Sequence, residues 1–322
     1  MPRTIHQWQR SERAAHSIAK KQKGMTQMAK PTVDIPIERE QMNYRKSFQI
    51  LPGTHVKLKN FESAYKGKHE QKAAGLLKIE SLEYAMDKLQ FRLYAENKRS
   101  MLICLQGLDA GGKDGVVRHV IGAMNPQGCR VQSFKQPTPI ELAHDFLWRI
   151  EQQVPRRGEV VIFNRSQYED VLIVRVHDLV PKNVWSTRYE QINEFEKRLV
   201  DNGTHILKFF LHISKEEQLA RFKKRLDDPD RRWKISEADY KERKFWDAYE
   251  TSYEDVLTRC STTDAPWFVI PSDHKWFRDL AISNIIVDTM QDLGIEIPRP
   301  TVVIADIRKR YHAAAEKAGK HS

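Results

Sequence analysis

The chain has 322 residues, 40% of them hydrophobic and 30% charged, enough to bury the core of one large α/β domain. No stretch approaches the roughly 18 consecutive apolar residues of a membrane span, the basic start lacks the apolar centre of a secretory signal, and no Cys/His spacing suits zinc. A formal net charge of +11 favours a polyanionic partner: nucleic acid, an anionic membrane or a phosphate-rich substrate.

Residues 1–48 read as a basic, poorly ordered N-terminal arm, in which Arg3, Arg10, Arg13, Lys20, Lys21, Lys23 and Lys30 are opposed early on only by Glu12. Pro52-Gly53 marks a turn. Leu82, Met86, Leu89 and Leu93 share one stripe and predict a helix from about Glu70 to Asn97. A strand follows at Met101–Gln106, then a helix at Gly115–Met124 with Val117, Val120, Ile121 and Met124 as its apolar face. Arg130–Phe134 reads as a strand, Pro139–Glu151 as a helix and Val160–Asn164 as a third strand. Trp185–Asn202 is a helix, stopped at Gly203 by a left-handed cap. His205–Ile213 is a strand, after which Ser214 and Glu217 form a capping box. A long helix at Ser236–Cys260, a short strand at Trp267–Ile270 and a helix at Lys275–Leu293 complete the domain, assigned to 49–298. Residues 299–322 read as a basic, solvated tail. Alternation of helices with continuous apolar strands predicts an α/β fold with a parallel sheet covered on both faces. Cys104 and Cys129 fall inside strands and read as buried, reduced thiols, which places the protein in the cytoplasm.

The strongest chemical signal is Gly107-Leu-Asp-Ala-Gly-Gly-Lys-Asp-Gly115, a G-x-x-x-x-G-K loop directly after a strand and before a helix. Gly107, Gly111 and Gly112 let the backbone curl so that its N–H groups point at phosphate oxygens, Ala110 and Gly115 complete the expected phosphate-binding loop, and Lys113 adds a full charge. Asp114 stands where Ser or Thr would hold magnesium, and Asp109 puts a carboxylate inside the phosphate cradle. Such an acid is repulsive unless a cation intervenes. Asp109 therefore reads as a magnesium ligand, or as the group that positions a phosphate nucleophile through magnesium. Asp114 reads as an acid compensating the helix N-terminus.

Asn164-Arg165 ends the third strand, with Glu169 and Asp170 a turn later. From there Arg165 can reach a transferring phosphoryl group. Residues 222–236 carry Arg225, Arg231 and Lys234 around an Asp-Asp-Pro turn and read as a mobile cationic lid. Lys135, Arg118 and His119 would extend a cationic path, the last two lying off their helix's core face.

GLDAGGKDG, NPQGCRVQSFKQPT, ELAHDFLWRI, FNRSQYEDVLIVRVH, GTHILKFFLHISKEEQ, RLDDPDRRWKIS and APWFVIPSDHKWFRDL, in this order from about Leu51 to Leu293, resemble the polyphosphate kinase 2 family. The resemblance implies a three-layer, thymidylate-kinase-like P-loop fold with a parallel sheet of about five strands and a helical lid. It implies phosphoryl transfer from inorganic polyphosphate to ADP or AMP, with Asp109, Lys113 and Arg165 catalytic. Arg225, Arg231 and Lys234 become lid cations and Lys135 a polyphosphate contact. Asn164 stands where many relatives have Asp, which shifts weight to Glu169 as a second metal group and is similar to the subgroup accepting both AMP and ADP. Mg2+ is the implied cofactor, with Mn2+ as its substitute. Adenine nucleotides, with guanine as a further base, are the implied acceptors, and a homo-oligomer, dimer or tetramer, the implied assembly. Two other readings stay open: an ATP-dependent kinase of a small metabolite, and a nucleic-acid binder with an inert loop. The second would show aromatics interleaved with Lys and Arg, and the basic ends offer only scattered ones such as Trp8 and Tyr311; neither nucleic acid nor membrane is expected as a partner.

Overall fold

A computed structural model describes residues 42–67 and 71–319. The arm before residue 42 lies outside the described residues, as do 68–70 and 320–322. Strands β1 (Ser100–Gln106), β2 (Cys129–Ser133), β3 (Val160–Asn164), β4 (Thr204–His212) and β5 (Trp267–Pro271) form one parallel sheet in the order β2-β3-β1-β4-β5. Each strand lies within one residue of its sequence expectation. Among the described residues, the helices of seven or more residues are α1 (Lys72–Glu96), α2 (Lys113–His119), α3 (Arg188–Asp201), α4 (Lys215–Asp227), α5 (Glu237–Arg243), α6 (Trp246–Cys260), α7 (Lys275–Asp292) and α8 (Ile304–Gly319).

Alternating side chains of the strands feed two cores, which is why the strands read as unbroken apolar runs. Met101, Ile103 and Leu105 join Ile162 and Leu207 under α1 and α7. Leu102 and Cys104 join Val161, Phe163 and Ile206 beneath Phe195 of α3, while Phe210 and Val269 pack with Tyr253, Val256 and Leu257 of α6. The result is a three-layer sandwich. Leu82, Met86, Leu89 and Leu93, the predicted stripe of α1, are all buried.

Several helices are shorter than their periodicity suggests. α2 ends at His119 and gives way to a 3-10 turn at Ile121–Ala123, with Val120 (φ −109°, ψ −58°) closing the last helical bond to Val116 O between the weak points Gly115 and Gly122. Its buried face is Val116, Val120, Ile121 and Met124, with Val117 only half-buried. The expected helix at 139–151 is two single turns, Pro139–Leu142 and Trp148–Glu151, because the Asp145 carboxylate accepts from Leu147 N–H at 2.9 Å and restarts the chain. Lys182–Trp185 is a separate turn before α3, and Gly203 adopts φ +88° beyond its end, as the cap required. The helix expected at 236–260 breaks at Phe245 (φ −94°, ψ 14°) into α5 and α6.

At the N-terminal side, packing reaches further back than charge suggested. Tyr44–Phe48, which charge placed in the arm, is a helical turn whose Tyr44 and Phe48 are buried in an aromatic cluster with Tyr65 and Phe277. In the C-terminal tail, residues 304–319 form a helix with every side chain exposed. Of the thiols, Cys104 and Cys260 are buried, whereas Cys129, on edge strand β2, is only half-buried. No described helix is long and apolar enough to cross a membrane.

Candidate active site

The sheet order sets β1 beside β3, with Leu105 opposite Asn164. The loops leaving these strands at their C-terminal ends therefore emerge side by side. Arg165 N–H donates to Leu105 O at 3.1 Å, tying the second loop to the end of β1. Its φ of +63° turns the guanidinium back toward the P-loop, where Nη2 lies 3.2 Å from Asp109 Oδ1.

The P-loop curls as the glycines predicted. Gly107 (φ +154°) lies so close to β4 that a Cβ would meet Leu211 O at 2.9 Å. Gly112 holds φ +112°, and Ala110 also adopts a left-handed conformation at φ +60°. Lys113 Nζ reaches back across its own loop to Gly107 O (2.6 Å) and Leu108 O (3.4 Å). Burial and the neighbouring Arg165 pull its pKa below the usual lysine range, against Asp109, Glu169 and Asp114. The reverse holds for Arg165, kept firmly charged first by Glu169 and then, over the opposing effect of burial, by Asp109.

Asp114 does more than face a helix end. Its carboxylate accepts from Asn164 Nδ2 at 3.0 Å and from Lys234 Nζ at 3.3 Å, so it joins the P-loop helix, β3 and the lid. Burial alone would raise its pKa; these two hydrogen bonds lower it below the ordinary aspartate value. The lid runs from the end of α4 through a 3-10 turn, Pro229–Lys234, to α5. Asp228 caps the turn by accepting from Asp230 N–H and pairs with Arg231 at 2.9 Å. Arg225 donates to Lys234 O at 3.2 Å, holding the lid's two limbs together.

One cavity of about 1780 Å³ gathers most of the residues expected from sequence: Asp109 to Gly115, Arg118, His119, Lys135, Asn164, Arg165, Arg225, Arg231 and Lys234. Gly107 is not on its wall, and neither is Glu169, which faces Arg165 in company with Tyr249 and Tyr253. Asp109 and Glu169 thus bear on the same guanidinium without sharing the cavity. Among the described residues no group of three or more His, Cys, Asp or Glu could hold a metal ion by itself. A Mg2+ ion needs no such cage, since it commonly takes one or two carboxylates and completes its shell with water and phosphate oxygens. Asp109, with its carboxylate at the cavity wall, fits that donor set.

Sequence reading missed the braces of the P-loop. Gln218 Nε2 donates to Asp109 O at 2.9 Å, and Arg221 Nη1 donates to Ala110 O (2.7 Å) and Gly111 O (2.9 Å). Their signal was the i, i+3 spacing of polar residues opening a helix directly after a strand that neighbours β1. Arg278 of α7 packs against Gly112 and Gly115, with Nε and Nη2 both on Asp279 Oδ1. Lys275 and Lys224 also line the cavity. Twelve Lys and Arg and ten Asp and Glu line it in all, so the total by itself does not select a polyanion. Around Lys275, Arg221, Arg278, Lys224 and Arg231 crowd so closely that they add to burial in lowering its pKa. A cluster of repelling cations beside a phosphate loop is relieved by an anion of several charges.

A family model, Polyphosphate kinase 2, matches residues 69–297. The chain is 49% identical over 259 residues to the AMP/ADP-polyphosphate phosphotransferase of Meiothermus ruber, covering 79% of this chain and 96% of that one. It is 42% identical to the ADP-polyphosphate phosphotransferase of Rhodopseudomonas palustris, covering 80% and 93%. The crystal structure of polyphosphate kinase 2 from Arthrobacter aurescens TC1 superposes with a TM-score of 0.80 at 40% identity, covering 82% of this chain and 95% of that one.

Proposed function

Because the chain belongs to the polyphosphate kinase 2 family, we propose that it transfers phosphoryl groups between inorganic polyphosphate and AMP or ADP. The observation that carries this reading is the cation cluster at Lys275 opening into the same cavity as the P-loop. A lone metabolite phosphate needs the loop alone, whereas a phosphate chain needs charge on both sides of it.

Phosphoryl transfer is mostly positioning and charge neutralisation. A phosphate oxygen is already ionised near neutral pH, so the site requires no strong general base. Lys113 and Arg165 neutralise the transferred group; Asp109 orients Arg165 through their pair, and the Gly107 and Leu108 carbonyls hold Lys113. Asp109, with Glu169 supporting from beyond Arg165, would hold Mg2+ or Mn2+, which would screen the phosphate oxygens from one another and from the Asp109 carboxylate. Lys234, now on Asp114, closes the lid over the cavity, and Lys135, Arg118 and His119 receive the chain on the wall formed by β2 and α2. Adenine nucleotides are the proposed acceptors, guanine nucleotides the extension. Free thiols at Cys104, Cys129 and Cys260 support a cytoplasmic location. We place the protein as a homo-oligomer, dimer or tetramer, consistent with the exposed Leu77, Tyr84 and Phe91 on one stripe of α1; sedimentation measures it.

The test is purified protein with long-chain polyphosphate, Mg2+ and ADP, and separately AMP, with the nucleotides followed by chromatography. ATP from ADP establishes donor and reaction class, and ADP or ATP from AMP establishes the wider acceptor range. Folded protein that transfers in neither tube would leave the ATP-dependent metabolite kinase as the better reading.

A further inference from the structure

Arg165 is one of four non-glycine residues with positive φ among those described, a strained conformation that persists only where the surrounding structure enforces it. What enforces it lies beneath the site. Ser166 Oγ accepts from Gln106 Nε2 at 3.2 Å, fixing the next residue to the end of β1. Gln167 Nε2 and Tyr168 Oη then both donate to Glu196 Oε1 of α3, at 2.8 and 2.7 Å. Glu196 is held in turn by Lys208 of β4, whose Nζ lies 2.5 Å from its Oε2. The same ammonium donates to Tyr168 Oη (2.9 Å) and to Cys260 O (2.6 Å), the last carbonyl of α6. Lys208 and Glu196 are essentially inaccessible to water.

A buried ion pair is a poor way to stabilise a fold, since desolvation offsets most of its attraction and apolar pairs of similar volume often do as well. This pair does something an apolar pair cannot. It fixes three elements at once: the Gln167–Val171 turn after Arg165, α3, and α6, whose Tyr249 and Tyr253 stand beside Arg165 and Glu169. We propose that Lys208 and Glu196 are positioning residues, which hold Tyr168 and Gln167 and thereby set the left-handed Arg165 and its guanidinium against Asp109. The inference rests on the phosphotransfer reading above.

The experiment replaces the pair by Lys208→Met with Glu196→Leu and measures polyphosphate-dependent ATP formation from ADP, together with the melting temperature. The variant folds with a melting temperature lowered by the Tyr168 hydroxyl, Gln167 amide and Cys260 carbonyl left without partners, and it retains its KM for polyphosphate. Its kcat falls by about 10- to 100-fold, the range expected for a guanidinium displaced by about 1 Å. In an Arg165→Lys background the same double substitution costs several-fold less, because a flexible point charge depends less on the orientation of its root than a planar fork does. Unchanged kcat in a folded variant overturns the proposal, as does an equal loss in both backgrounds, which would mark a general structural effect. If the double variant fails to fold, Tyr168→Phe, which removes one hydroxyl and keeps the ring, is read by the same criteria. A parent protein that transfers no phosphate from polyphosphate defeats the underlying reading, whereas an active parent with fully active variants defeats only this inference.

Discussion

Gly112→Ala tests the packing of the P-loop against α7. At Gly112 a Cβ would stand 2.0 Å from Arg278 Nη1, where ordinary contact begins at 3.4 Å. The far end of an arginine usually swings aside, but Arg278 is 1% exposed and its Nε and Nη2 donate to Asp279 at 2.8 and 2.7 Å. Displacing it disrupts a buried pair, at a cost of about 3 kcal/mol. Alanine at φ +112° adds about 1–3 kcal/mol of backbone strain. The alternative relief is a shift of the loop by about 1 Å, which lowers turnover by about 100-fold. The chain distributes the conflict over all three, so the melting temperature should fall by about 5–10 °C and kcat by one to two orders of magnitude. Differential scanning fluorimetry and a coupled ATP assay measure the two effects. Gly53→Ala is the control: its φ is +78° with nothing within 4 Å of the new Cβ, so only backbone strain, remote from the site, is expected. Parental stability and turnover in Gly112→Ala would refute the packing argument.

Asp109→Ala or Lys113→Ala should leave the melting temperature nearly unchanged and lower kcat by at least about 100-fold; substantial turnover in either would remove that residue from the mechanism. Lys224→Ala with Lys275→Ala should raise KM for long-chain polyphosphate well above any change in KM for ADP, and should flatten the salt dependence of the former; equal changes in both constants would count against a chain-binding cluster. Burial holds the His212 imidazole below its ordinary pKa, although Nε2 meets Phe61 O at 3.0 Å. The unfolded chain takes up that proton near pH 6.5 and the folded one resists it, so this contribution to stability is complete above about pH 6.5 and declines as pH falls toward the lower folded value. Urea titrations between pH 7 and 5 should show a shallower acid decline in His212→Gln, and identical slopes would exclude the group.

The strands were legible because a parallel sheet buries both faces, and an apolar run such as Val160–Phe163 has no competing interpretation. The helix limits were not, since periodicity continues through Phe245 while the backbone bends there. Glycine spacing marked the P-loop and charge marked the segment around Pro229, and most of the residues so marked line one cavity. Asp114 read as a local helix acid because nothing in one sequence places Asn164 and Lys234 within reach of it. Lys208 is one polar residue within an apolar strand, and its partner Glu196, on α3, becomes visible only once that helix is laid on β4. Tyr44 and Phe48 were hidden by the basic residues around them, although their rings are what seats that turn on α7.

α4 begins by gripping the P-loop through Gln218 and Arg221 and ends as the first limb of the lid. The brace of the P-loop and the first limb of the lid therefore share one helix, and where a protein engineer cuts that helix decides which of them is exchanged. A lid transplanted from a relative at the start of α4 would carry its own brace and should dock as a module. One spliced after Phe222 would keep the host's grip and change only the cations that reach the substrate, which makes that junction the place to vary chain-length preference while leaving the chemistry alone.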